Sequence, residues 1–93
     1  MLNSSEYDLV RMGYDCDSAE ERLPTDEESK SFLYVYDCAK ACDEQIGCNY
    51  FTIGWVLSNG WGRCVWKKTD SADCTEGWKW SEYNFFEIIS MLD

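Results

Sequence analysis

The chain has 93 residues, with 18 Asp and Glu against 8 Lys and Arg, a formal net charge of -10, six cysteines, five tryptophans and no histidine. That charge makes nucleic acid, heparin-like polyanions and anionic lipid surfaces poor partners, since each needs a basic patch to displace counterions. A cationic or neutral partner fits better, although the simplest reading of the acidity is that it keeps a Trp-rich domain soluble.

A chain this short makes one domain, positions 1–93 with a core over 7–89, and its small core needs reinforcement. An even number of cysteines suits disulfides, each worth about 2 to 4 kcal/mol, and therefore an oxidising compartment. Zinc is the rival. The spacing C-x3-C-x5-C from Cys38 to Cys48 lacks the paired C-x2-C knuckles, however, and there is no histidine to complete a site. No segment is long and apolar enough to span a membrane, and positions 1–10 lack the apolar run of a signal peptide. A disulfide protein must be exported, so its targeting segment is expected outside this sequence.

In chain order, Asn3-Ser4-Ser5 forms a glycosylation sequon. Tyr7 to Met12 alternates, with Tyr7, Leu9 and Arg11 on one face and Asp8, Val10 and Met12 on the other, and Gly13 is expected to end this strand. Cys16 then heads an acidic stretch holding Asp15, Asp17, Glu20, Glu21, Asp26, Glu27 and Glu28 around Pro24, which reads as a long exposed loop. Its carboxylates lack the D-x-D-x-D-G register of a calcium loop. From Phe32 to Gln45, apolar residues at three- and four-residue steps predict the one helix, with Cys38 and Cys42 a turn apart on one face. Gly47 offers the positive φ that turns the chain back after a helix. Residues 49–56 and 63–67 predict two antiparallel strands joined at Ser58-Asn59-Gly60, an Asn-Gly hairpin turn. Residues 68–77 form a polar loop with Cys74, and 78–89 a last aromatic strand.

Five tryptophans exceed what this core needs. Trp66 alternates with Cys64 and is expected to pack, and Trp80 belongs to the core if its face of the last strand points inward. Trp55, Asn59, Gly60 and Trp61 at the hairpin tip, together with Trp78, are the candidate ligand contacts, because exposed Trp marks contact surfaces.

The order GYDC, then CAKACDEQIGCNYF, then GRCVW and ADC resembles a PAN/apple domain over nearly the whole chain, from Tyr7 to Ile89. The resemblance implies an α+β fold, a small disulfide-stapled domain in which a curved antiparallel sheet cradles one helix. It implies the pairing Cys16 to Cys74, Cys38 to Cys64 and Cys42 to Cys48, which spacing alone cannot select. It also implies recognition rather than catalysis. The residues lean the same way: without histidine, and with every cysteine committed, neither the commonest general base nor a free thiolate remains. A paired-carboxylate glycosidase would need a deep cleft that so small a domain hardly accommodates. The expectation is an exported, non-catalytic binding module without cofactor or metal, secreted or in another oxidising lumenal compartment. Its partner is a protein first and a glycan second. The alternative is a small structural accessory subunit built permanently into a larger extracellular or lumenal assembly.

Overall fold

The computed structural model describes residues 7–23, 32–54 and 62–89. In chain order the elements are β1 (Tyr7–Cys16), β2 (Glu20–Arg22), β3 (Phe32–Leu33), α1 (Val35–Glu44), β4 (Tyr50–Gly54), β5 (Gly62–Lys67) and β6 (Trp78–Ile88). All strands pair antiparallel in one sheet of order β1-β6-β4-β5-β2, with β3 also on β5. The chain is thus a small disulfide-stabilised α+β domain.

The side-chain alternation of the central strand β4 divides the core in two. Phe51 and Ile53 face α1 and join Cys38, Ala39, Cys42, Cys48 and Cys64 in one buried cluster. Phe51 stacks on Phe86 with ring centroids 5.1 Å apart, and Tyr7 meets both rings edge-on. Tyr50 faces the other way. It stacks on Phe85 at 5.7 Å, beside the buried Cys16 and Cys74. Each face of the sheet thus carries its own aromatic cluster, and each cluster is anchored by disulfides.

The helix exists because one face, Cys38, Ala39 and Cys42, is fully buried while Asp37 sits in the first turn, where the helix dipole favours a carboxylate. It starts at Val35, three residues later than periodicity suggests, because Phe32 and Leu33 pair with Arg63 and Gly62 as β3. Gly47 takes φ +89° after the helix. All six cysteines are bridged: Cys16 to Cys74, Cys38 to Cys64 and Cys42 to Cys48. The pairing is the one the resemblance implies.

Two strand expectations change. Strand β1 does not end at Gly13 but runs on to Cys16, because Gly13 takes φ +78° and opens an irregularity, with Met12 opposite Asn84 and Tyr14 opposite Trp80. The Asn84 side-chain oxygen accepts the Gly13 N–H at 2.9 Å, so the break in the ladder leaves no orphan donor there. A second irregularity falls at Val10, which packs on the Phe85 cluster while Leu9 is exposed. The acidic stretch is likewise not all loop, since Glu20–Arg22 pairs with β5 as β2. Charge complementarity makes this strand. Lys67, only 2 % exposed, places Nζ 2.6 Å from Glu20 and 3.3 Å from Asp15, and Lys68 reaches Glu21 at 2.7 Å.

Candidate functional site

The sheet face away from α1 carries an aromatic rim where β1 meets β6. Tyr14 stands opposite Trp80, and Cys16 opposite Trp78. The Arg11 guanidinium lies 4.0 Å from the Tyr14 ring centre and 5.1 Å from that of Trp78. Both contacts are within cation–π range, so the guanidinium is held between two rings. Trp78 is half-buried and packs edge-on against Phe85 at 5.0 Å. Beneath the rim, burial first and then nearby Glu87 and Asp73 push the Tyr50 phenol above its ordinary pKa.

Trp80 ends this row and is 77 % exposed. It does not join the core, because the irregularities at Val10 and around Gly13 shift the alternation between β1 and β6 and leave Phe85 and Trp78 to fill the interior on this face. A surface Lys79–Asp17 pair at 3.5 Å flanks the row. The arrangement offers a broad aromatic platform with one cation held against it and charged groups at its border, the composition of a contact surface.

Of the residues singled out from sequence, Trp78 belongs to this rim, and the six cysteines are the bridges. Trp55, Asn59, Gly60 and Trp61 lie outside the described residues. Trp66 packs against the helix-side cluster, as its alternation with Cys64 suggests, and the Lys68 ammonium covers its ring at 4.6 Å. Sequence reasoning missed Arg11, Tyr14 and the exposure of Trp80. The signal was Gly13 read as a bulge rather than a stop, which places Tyr14 on the face that Cys16 occupies.

Glu76 approaches the sulfurs of Cys16 and Cys74, but these are bonded to each other and offer no thiolate to a metal. The Glu76 carboxylate instead accepts the Thr69 hydroxyl at 2.7 Å. No helix among the described residues is long and apolar enough to cross a membrane.

No family model matches this chain, and no curated protein or solved structure matches it either. Fold and bridges define its class, a small α+β domain whose three disulfides belong to an oxidising compartment.

Proposed function

We propose that the chain is an exported, PAN/apple-like binding module that docks a partner protein on the rim of Arg11, Tyr14, Trp78 and Trp80. The observation that carries this reading is Trp80, which leaves three-quarters of its surface in water opposite Tyr14, one of the two rings on which the Arg11 guanidinium is seated. A large ring kept outside the core exposes apolar area that a free monomer does better to hide, and Trp, Tyr and Arg are the side chains that dominate interface energetics.

A second reading, the permanently assembled subunit, draws support from Leu9 and Met12, which are also exposed on edge strand β1 and would suit a lasting cover. Surface-immobilised wild-type and Trp80→Ala protein, challenged with the same extracellular fraction, separate the outcomes. Trp80→Ala is expected to melt within about 1 kcal/mol of wild type while binding falls by about 2 kcal/mol or more. Release of the partner by mild salt or free sugar supports the module, and release only by denaturant supports the subunit. Unchanged binding by Trp80→Ala contradicts the assignment of the rim.

A further inference from the structure

Arg63 stands apart from the other positive side chains described in the sheet. Lys67 is paired with Asp15 and Glu20, Lys68 with Glu21 and Lys79 with Asp17, while Arg11 is held on two rings. Arg63 is half-buried and has no hydrogen-bond or ion-pair partner among the described residues, in a chain with 18 carboxylate side chains. An exposed ammonium such as Lys40 is satisfied by water, but a partly desolvated guanidinium gains most from an anion that fits its fork.

The surroundings of Arg63 are built to leave room for one. Arg63, Val65, Tyr83, Glu20 and Glu21 line a cleft of about 250 Å³. Between two of its walls runs Gly54, which pairs with Arg63 on one side and Tyr83 on the other. A Cβ at position 54 would lie 2.5 Å from the Tyr83 ring, so the glycine is what allows that ring to lie over β4.

We infer that this cleft binds a carboxylate: the Arg63 guanidinium takes its two oxygens, and the organic group carrying it rests on Val65 and the Tyr83 ring. Glu20 and Glu21 repel a single negative charge less than free carboxylates would, because ammonium groups lie at 2.6 Å and 2.7 Å from them, although Lys67 is shared with Asp15. The site is separate from the aromatic rim and does not depend on the rim being a protein contact.

The test is a nitrogen-15 NMR titration of the whole oxidised chain with benzoate, with benzamide as its neutral counterpart. Benzoate is expected to shift the amides of Gly54, Arg63, Val65 and Tyr83 saturably, and benzamide to bind at least about tenfold more weakly. Arg63→Gln should abolish benzoate binding and Arg63→Lys weaken it about tenfold, since lysine keeps the charge without the fork. Two further titrants distinguish sources of the carboxylate: acetyl-Ala-Ala-Phe with a free C-terminus and the same peptide amidated. Tighter binding of the free peptide than of benzoate, lost on amidation, assigns a peptide terminus, and the reverse order assigns a small organic acid. Equal binding of benzoate and benzamide, no saturable shift, or benzoate binding that survives in Arg63→Gln overturns the proposal. The comparison of benzoate with benzamide needs only wild-type protein, so it holds even if a variant misfolds.

Discussion

Replacing Cys38 and Cys64 together by Ala is expected to lower stability by about 2 to 5 kcal/mol, enough to prevent folding of a marginal domain at physiological temperature. The bridge closes a separation of 26 residues, for which loop entropy alone predicts about 3.5 kcal/mol. Packing adds to this. Both cysteines are almost wholly buried in the cluster that contains Phe51 and Ile53, so the bridge is also the contact through which α1 sits on the middle of the sheet. Urea or thermal melts of the oxidised double variant read the loss, and an unchanged melting temperature would contradict the packing of helix on sheet.

Lys67→Met is expected to cost about 2 to 3 kcal/mol. The side chain is 2 % exposed and its ammonium serves both Asp15 and Glu20, so removal leaves a mostly buried Asp15 without its cation. The cost falls below the roughly 3 to 5 kcal/mol of a fully buried broken pair, because Glu20 is more than half exposed and water takes over its solvation. Adding Asp15→Asn and Glu20→Gln to Lys67→Met separates charge from packing. If stranded charge is the cause, the triple variant recovers most of the loss. If it melts no higher than Lys67→Met alone, the lysine acts through its aliphatic stem.

The Lys67 arrangement also shows why β2 was hidden in the sequence. Glu20-Glu21-Arg22 has little strand propensity, and its pairing rests on Lys67 and Lys68, 47 residues further on. Local patterns do not carry such partners. What local patterns do carry was legible: the apolar steps from Val35 to Cys42, the turn at Gly47, and the strands at 50–54, 62–67 and 78–88. The site was less so, because a reading of period two assigns faces only while the ladder is regular. One extra residue at Val10 and the irregularity at Gly13 are enough to turn Trp80 outward and bring Tyr14 beside Arg11. A glycine in an alternating run signals either a stop or a bulge, and only the opposing strand decides which. The disulfide pairing followed from family resemblance and not from spacing, since the cysteine positions admit many connectivities.

The claim on which fold, compartment and the absence of a reactive thiol all rest is that every cysteine is oxidised in the pairing described. Peptide mapping under non-reducing conditions, with an alkylating agent to trap free thiols, tests it directly. The expected result is no alkylated cysteine and three linked peptide pairs, joining Cys42 to Cys48, Cys38 to Cys64 and Cys16 to Cys74. Reduced sulfurs accompanied by bound zinc, or a map in which Cys42 is linked to any residue other than Cys48, would contradict it.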